Sequence, residues 1–447
     1  MFVFVARSSP LRGGLLLALA SAVLGGCTDQ PPPVAGDPPA LDGDPQVLAG
    51  DPRAEALQAR GALRVELAEG ASDPTVVADA RDLVSSTLAQ VGGLDLDGGH
   101  ALTVRYLGKG RLGGRPEARE SREPAPAGEL AAPALTGIDA FNPATRNEFR
   151  IELRGGALEA IGRSASARGL DSGSVAASEP VISFSWSNGD DDRYRPYGIN
   201  APVTNSAHRM LVKLGGCSGT LVGPRHIVTA GHCLYDRDTS TWSDDFWVRA
   251  GRNGTSNAAQ VFVDNDNIPG GQVLWYYTPP QYRAKSGSTW GYDYGILVVP
   301  ARLGDTTGWM GRVAYTAATL NGASIYRRGY PACNHPTRTD EPSPCEPNHL
   351  YANAALCDVG EYQSQDGNGW HRVVHHSCDA SAGDSGSSLY VYHNGTPAVT
   401  GIHFASRCET SPGDNACTGS LEDRPLAAIR LTPEYRDWIG YFRDLYP

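Results

Sequence analysis

The sequence predicts an all-β domain in its C-terminal half, built as a sandwich or a pair of barrels and closed by a helix. From about Tyr197 onward, short apolar runs alternate with turns rich in Gly, Pro, Asn and Asp. Gly (53) and Pro (32) are numerous among the 447 residues, which favours short strands over long helices. A β region of this length is typical of sandwiches and barrels, and the chain is long enough for a second unit upstream. The final helix is expected to start at Thr432-Pro433, with Thr as N-cap and Pro in the first turn.

The chain begins with the pattern of an export signal. Two arginines precede an apolar stretch over 13–26, which is too short to span a bilayer as a helix. The stretch ends in Leu24-Gly25-Gly26-Cys27, which resembles the box of bacterial lipoproteins in which the cysteine receives lipid after cleavage. The alternative is an ordinary signal peptide cut after Ala20 or Ala22. We predict a signal peptide over 1–26, lipid on Cys27 and no other contact with a membrane.

The region between the leader and the β domain divides into three parts. Residues 27–53 are predicted to be a Pro/Gly-rich tether. Residues 54–160 are predicted to form a small α+β region, with strands at 62–67, 102–107 and 149–153 and a helix that starts at Asp73-Pro74. This region is interpreted as a propeptide, with a plain spacer as the alternative. Residues 161–196 are expected to be a linker that ends in an exposed polar segment, and the β domain follows over 197–447.

The cysteines indicate an oxidising compartment. Nine cysteines are an odd number, and lipid on Cys27 would leave eight for disulfides. Eight cysteines allow 105 connectivities, and pairing of sequence neighbours suggests four bridges. These are Cys217–Cys233, Cys333–Cys345, Cys357–Cys378 and Cys408–Cys417. No Cys-x-x-Cys pair occurs among them, so we expect no metal site, and we expect no organic cofactor.

The net charge of −11 argues against nucleic-acid binding, which normally shows a basic surface.

Two short motifs carry the chemistry. Ser385 lies in the tight turn Gly383-Asp384-Ser385-Gly386, and His232 lies upstream in Thr229-Ala230-Gly231-His232-Cys233. A serine hydroxyl becomes a nucleophile when a neighbouring histidine takes its proton, and a buried carboxylate then orients the histidine. Asp293 is the best candidate for that carboxylate because it leads into the apolar run 294–299. Four other aspartates are rivals on position: Asp244, Asp245, Asp264 and Asp266.

Residues 197–447 resemble the chymotrypsin/trypsin family of serine endopeptidases, and within it the bacterial glutamyl-endopeptidase-like branch. The match rests on the histidine region with its cysteine pair, on Asp293-Tyr294-Gly295, on the nucleophile turn and on Gly401-Ile402-His403, all in the family's order. The resemblance implies a double six-stranded β-barrel with the active site between the barrels. It also implies that Ser385 attacks, His232 acts as base, Asp293 orients it, and the N–H groups of Gly383 and Ser385 form the oxyanion hole.

Two candidate residues for substrate binding favour different specificities. In trypsin-like enzymes an aspartate at the position of Asp379 selects Arg or Lys, whereas in glutamyl endopeptidases a histidine at the position of His403 contacts the substrate glutamate. Ser406 is a third candidate, on the strand that pairs with substrate. We favour cleavage after Glu or Asp, with Arg or Lys and other residues as alternatives. Asp379 could instead be bonded to backbone amides, and His403 could be a packed core histidine.

The resemblance also bears on activation. In the trypsin branch, the aspartate that precedes the nucleophile, here Asp384, pairs with a new N-terminal ammonium after cleavage, and in some bacterial relatives an arginine substitutes. The Asp/Arg-rich segment at 188–196 suggests that an activating protease cuts near Arg193-Tyr194 and releases the upstream region.

The sequence as a whole predicts an exported serine endopeptidase, either a cell-envelope lipoprotein or a secreted protein, that acts as a monomer on protein or peptide substrates. A catalytically silent relative that binds peptides in the same cleft is the alternative. An esterase of the α/β-hydrolase class is opposed by the order His, Asp, Ser.

Overall fold

The computed structural model describes residues 51–90, 101–113, 137–154, 156–161, 191–244, 246–263, 273–284, 290–333, 344–360, 372–406 and 426–447. All of them belong to one compact unit, Leu41–Pro447. The predicted leader, Cys27, most of the tether, the linker up to 190 and the pair Cys408–Cys417 lie outside the described residues. Within the described ranges, no helix combines the length and the apolar character needed to cross a membrane.

Most of the regular secondary structure in the described ranges is β, arranged in two large sheets. Helices run over α1 Pro52–Ala59, α2 Pro74–Gln90, α3 Ser206–Arg209, α4 Pro280–Arg283, α5 Leu303–Thr307, α6 Ala317–Leu320 and α7 Pro433–Leu445. The strands of the first sheet are β1 Leu63–Glu66, β2 Ala101–Lys109, β3 Gly137–Phe141, β4 Asn147–Arg154, β5 Leu211–Leu214, β6 Cys217–Leu221, β7 His226–Thr229, β10 Phe246–Ala250, β11 Ala259–Val263, β12 Trp275–Thr278 and β13 Gly295–Val298. A separate hairpin joins β8 Tyr235–Asp236 to β9 Thr241–Trp242.

The second sheet lies in the C-terminal part of the chain. Its strands are β14 Gly311–Arg312, β15 Ser324–Gly329, β16 Tyr351–Ala352, β17 Cys357–Gly360, β18 Val373–His376, β19 Ser388–His393, β20 Thr396–Ser406 and β21 Leu426–Arg430. Six of them close a ring in the order β15-β17-β18-β21-β20-β19 and back to β15. The fold is therefore chymotrypsin-like, with a closed six-stranded barrel and a C-terminal helix, as the sequence predicted.

The upstream region forms the α+β elements expected from its sequence patterns. Helix α2 starts at Pro74, and the side chain of Asp73 accepts the N–H of Thr75 at 2.8 Å, as an N-cap does. Strands β1, β2 and β4 lie where alternating runs predicted them. Helix α1 begins at Pro52 with Asp51 as its cap, so the last two residues assigned to the tether are helical.

Strand β3, which was not predicted, joins the upstream region to strands β5–β7 and β10–β13 of the first sheet, the part that corresponds to the first barrel of the expected fold. It pairs with β4 on one side and with β12 on the other, so the order of the first sheet runs β1-β2-β4-β3-β12-β13-β7-β6-β5-β10-β11. The ring of Phe141 stacks on that of Trp242 with centroids 5.1 Å apart. One apolar core consequently extends from the upstream helices into the barrel.

Helix α7 covers the first barrel and also touches the upstream region. The side chain of Thr432 accepts the N–H of Tyr435, so the predicted cap is present. Phe442 stacks on Tyr277 of β12, and Tyr441 shares a hydrogen bond with Thr87 of α2. The C-terminal helix thus holds the barrel and the upstream region in one packed body.

Candidate active site

His232 lies in a short 3₁₀ turn, Gly231–Cys233, directly after β7. The turn is tightly packed, because a Cβ on Gly231 would come within 3.0 Å of both the Asp293 carboxylate and the Tyr282 ring. A larger residue at 231 would therefore push the histidine away from the aspartate. This explains why the sequence frames His232 with small residues.

Asp293 precedes β13 and is 1% exposed. Its Oδ2 lies 2.8 Å from Nδ1 of His232, and its Oδ1 accepts the backbone N–H of the same residue at 2.8 Å. A carboxylate at Nδ1 favours the tautomer that carries its proton there, which leaves Nε2 as the acceptor. Nε2 is buried and has no hydrogen-bond partner among the described residues, so it is suited to accept a proton.

Among the rival aspartates, Asp244 is described and the other three lie outside the described residues, and the carboxylate that lies against Nδ1 of His232 is that of Asp293.

Ser385 is held against the histidine loop by Ser218 of β6. The backbone N–H of Ser218 donates to the carbonyl of Ser385 at 2.8 Å, and its hydroxyl donates to the carbonyl of Gly383 at 2.8 Å. The neighbouring Cys217 is bonded to Cys233, the residue after His232. Ser218 therefore connects the nucleophile turn to the loop that carries the base. Sequence analysis missed this role, and the only signal was its position beside Cys217.

The two glycines of the nucleophile turn are required by its shape. Gly383 and Gly386 have φ of +93° and +86°, a conformation that other residues resist. A Cβ on Gly386 would lie 2.1 Å from the carbonyl oxygen of Ser218, and one on Gly383 would lie 2.6 Å from the nitrogen of Ala332.

The N–H groups around the turn are used in different ways. The N–H of Asp384 donates to the carbonyl of Ser381, and that of Ser387 donates to the carbonyl of Asp384. The N–H of Gly386 donates to the carbonyl of His403 on β20. In the described part of the chain, no backbone carbonyl accepts from the N–H of Gly383.

Asp384, directly before Ser385, is fully buried between two guanidinium groups. Oδ2 lies 2.5 Å from Nη1 of Arg193 and also accepts the N–H of Ser381, while Oδ1 lies 2.5 Å from Nη2 of Arg327. Burial opposes the Arg193 charge, but Asp384 and Asp191 outweigh it and raise its pKa. A buried charge is retained when it is paired in this way.

Arg193, in the segment that was predicted to be exposed, has a buried side chain, whereas the neighbouring Tyr194 is 47% exposed. Arg193 is only 5% exposed, and its Nε and Nη2 atoms donate to the carboxylate of Asp191. Tyr194 exchanges two backbone hydrogen bonds of 2.9 Å with Ala352. The prediction that this Asp/Arg cluster is exposed is wrong for Arg193, because its guanidinium pairs with the buried carboxylate of Asp384. The two residues are nearly 200 positions apart, so local composition does not reveal this contact.

Asp379 contacts this same segment. Its Oδ2 accepts the backbone N–H of Asp192 at 2.9 Å. Burial raises the pKa of Asp379 to about 7, and the nearby Asp191 and Asp192 add to the effect, while the N–H of Asp192 opposes it. This geometry favours the alternative in which Asp379 is bonded to a backbone amide.

His403 lies on β20 beside the nucleophile turn. Its N–H donates to the carbonyl of Ser387, and its carbonyl accepts from Gly386. Its Nδ1 lies 3.1 Å from Nε2 of His376 on β18, and both rings are buried. Burial lowers the pKa of both well below the usual range, and for His403 the charges of Arg327, His232 and Arg193 add to the effect. His376 was not singled out from the sequence, because its partner is on another strand.

Ser406 ends β20, and its side chain is outside what the structure describes.

The described cysteines form the three bridges suggested by sequence neighbours. These are Cys217–Cys233, Cys333–Cys345 and Cys357–Cys378. The sulfurs of the first bridge and a ring nitrogen of His232 lie within 4.8 Å of one another, but disulfide sulfurs are not thiolate ligands. This grouping is therefore a covalent brace for the histidine loop and not a metal site.

Comparison with known proteins places the C-terminal domain in a family. The family model described as Trypsin matches residues 196–439, which is more than half of the chain. A protein from Bacillus licheniformis, Glutamyl endopeptidase, is 34% identical over 145 residues, covering 32% of this chain and 41% of that protein. Serine protease 23 of Mus musculus is 26% identical over 259 residues, covering 55% of this chain and 60% of that protein.

The chain thus spans between about two fifths and three fifths of the length of these relatives. A solved structure described as "Structure of Glu endopeptidase in complex with MPD" is 19% identical with a TM-score of 0.42, and the match covers 57% of this chain and 98% of that one.

Proposed function

The chain belongs to the trypsin family, and from this premise we propose that it is an exported serine endopeptidase. The proposal rests on two hydrogen bonds of His232: the buried carboxylate of Asp293 contacts its Nδ1 and accepts its backbone N–H. These two bonds orient the imidazole of the proposed base. Ser218 connects the same loop to the turn that carries Ser385 through hydrogen bonds to the carbonyls of Ser385 and Gly383.

In the proposed mechanism, Ser385 attacks the carbonyl carbon of the scissile peptide bond and forms an acyl-enzyme. His232 takes the hydroxyl proton at Nε2 and returns it to the leaving amine, while Asp293 stabilises the imidazolium. The N–H groups of Gly383 and Ser385 would stabilise the oxyanion, and one such donor contributes typically about 2.7–4 kcal/mol to the transition state. Water then releases the acyl group by the same steps in reverse.

The proposed specificity is for Glu or Asp before the scissile bond. His403 lies beside the nucleophile turn, and the positive charges of Arg327 and Arg193 act on its ring. The charge of an acidic substrate side chain beside this ring would favour protonation of His403, and the imidazolium would then pair with it. The relative named Glutamyl endopeptidase supports the same preference. Selection of Arg or Lys by Asp379 is less well supported, because that carboxylate already accepts the N–H of Asp192.

Export is part of the proposal. Three disulfides in the described residues suit an oxidising compartment, and the leader pattern supports secretion. Attachment through lipid on Cys27 is proposed from its place at the end of that leader, with proteins or peptides as substrates.

Cleavage-site profiling tests this function. The purified chain and its Ser385→Ala variant are incubated with a complex peptide mixture, and the products are identified by mass spectrometry. We expect cuts after Glu that are absent with Ser385→Ala. His403→Gln should reduce kcat/KM for such sites about 10- to 100-fold, since the site loses a group that recognises the substrate. His393→Gln, at an exposed histidine, is the matched control.

Cuts after Arg or Lys would transfer the selecting role to Asp379. Identical products from the wild type and Ser385→Ala would contradict the peptidase function and favour a peptide-binding relative.

A further inference from the structure

We propose that Arg193 positions the nucleophile turn, so that the chain forms its active site while the bond between Arg193 and Tyr194 is intact. The proposal rests on the proposed peptidase function for its kinetic consequences. It replaces the expectation that cleavage at this bond is needed, and it gives the upstream segment a positioning role in the reaction.

The contacts of Asp384 are the first support. Its two carboxylate oxygens face different guanidinium groups, and each of the three side chains is fully buried. Asp384 is adjacent to Ser385 and its N–H and carbonyl are both used inside the turn. Any shift of this carboxylate must therefore move the backbone of the nucleophile turn.

The two arginines have different tasks. Arg327 belongs to the second barrel, where it also donates to the hydroxyl of Ser387 and to the carbonyl of Asp379. Arg193 comes from outside the barrel, and its Nη1 donates to the second oxygen of Asp384 and to the hydroxyl oxygen of Ser381. The same Asp384 oxygen also accepts the N–H of Ser381. Removing Arg193 would leave Oδ2 of Asp384 with the N–H of Ser381 and without a cation, so the turn would lose the charged contact that comes from outside the barrel.

The backbone around Arg193 is built into the second sheet. Tyr194 and Ala352 exchange two hydrogen bonds, and the N–H of Asp192 donates to Asp379. The amide N–H of the Arg193–Tyr194 bond thus donates to the carbonyl of Ala352, and the side chain of Arg193 is buried. A protease would need to extract the segment from these contacts before cutting it.

An arginine suits this position because its charge survives burial and its donors form a planar fork. Nη1 donates to Asp384 and Ser381, while Nε and Nη2 donate to Asp191. The two guanidinium charges of Arg193 and Arg327 are matched by the two carboxylates of Asp384 and Asp191. The cluster is therefore neutral overall, with no cleavage-derived ammonium needed to complete it.

The first experiment identifies the competent species. The wild-type chain is labelled with a biotinylated fluorophosphonate at Ser385, captured, and analysed by mass spectrometry for peptides that cross residues 193–194. We expect labelled molecules in which this bond is intact. Labelled molecules that all begin at Tyr194 would overturn the proposal.

The second experiment separates positioning from folding by kinetics. Arg193→Gln should lower kcat about 100-fold with little change in KM, which is the loss expected when an oxyanion donor is misplaced. Arg193→Lys should recover part of the rate because it restores a cation. Arg195→Gln is the matched control, since Arg195 lies on the same segment and pairs with Glu346 instead. Equal kcat for Arg193→Gln and Arg195→Gln would overturn the proposal.

The third experiment does not depend on activity. In a Ser385→Ala background, amide hydrogen exchange is compared at Asp384, Gly386 and Ser387. We expect faster exchange in Arg193→Gln than in Arg195→Gln, and equal exchange would overturn the positioning role. A wild-type chain that fails to react with the probe, with this exchange difference still present, would count against the peptidase function and not against Arg193.

Discussion

The two upstream attachments to the barrels use different physical interactions. Residues 51–161 join the first barrel through a shared sheet and an apolar core, whereas residues 191–195 join the second barrel mainly through ion pairs. Apolar burial contributes free energy of folding in proportion to area, about 25 cal/mol per Å². A buried ion-pair cluster contributes little net stability, but the removal of one partner leaves an uncompensated buried charge and is costly.

This difference fits the proposal that the first attachment serves stability and the second positions the nucleophile turn. The shared sheet also bears on the interpretation of the upstream region as a propeptide. Release of that region would expose the edge of β12 and the faces of Trp242 and Tyr276 that Phe141 covers. An unpaired apolar edge is prone to aggregation, so we propose that the region stays with the barrel.

The largest effect should come from breaking the first attachment at its core. Phe141→Ala removes a fully buried ring that stacks on Trp242 and Tyr276. We expect a loss of about 3–5 kcal/mol in the free energy of unfolding, measured by denaturant titration. Leu107→Ala, at a side chain that is 38% exposed on β2, is the control. Equal losses in the two variants would contradict the view that β3 anchors the upstream region.

A smaller effect should come from the polar contacts at the same junction. Glu148 on β4 accepts from the indole of Trp242 at 2.7 Å and pairs with Arg283 of α4. Glu148→Gln weakens both contacts, and we expect a loss of about 1–3 kcal/mol in the free energy of unfolding. Glu152→Gln, at the pair with Arg154 whose side chain is 65% exposed, should lose less than about 1 kcal/mol. A larger loss for Glu152→Gln would show that the junction is not held by these buried contacts.

The smallest effect concerns the second attachment and depends on pH. Because the native pKa of Asp379 is about 7 and an unfolded aspartate titrates near its usual 3.8, the native state binds more protons between these values. Raising the pH from 4 to 7 therefore removes stability from the wild type. Asp379→Asn cannot ionise, so its stability relative to the wild type should increase over this range, by about 1 kcal/mol after screening is allowed for.

Thermal unfolding at pH 4 to 8 measures this trend, with Asp238→Asn on an exposed loop as the control for general loss of charge. A difference between Asp379→Asn and the wild type that stays constant with pH would contradict the raised pKa. It would also weaken the view that Asp379 is enclosed by the segment 191–195.

The sequence by itself determined the features that depend on interactions between residues close together in the chain. The caps at Asp73 and Thr432 are short-range hydrogen bonds, and the structure has both. The glycines of the nucleophile turn and the small residue before His232 are needed for local conformation and close approach, so the motif itself identified the candidate base and nucleophile. Disulfide partners were also found from sequence proximity, because each described bridge joins neighbours along the chain.

Only the tertiary structure decided the contacts between distant segments. Strand β3 contains Asp139, a poor strand former, and it is stabilised by pairing with β12 and by Arg283, more than 130 residues away. Ser218, His376 and Arg193 acquire their roles from partners on other strands or loops. The physical reason is that a buried charge or an unpaired sheet edge needs a partner that is near in space. The sequence pattern indicates that a partner is needed, but it does not identify the residue, because that residue is often far away in the chain.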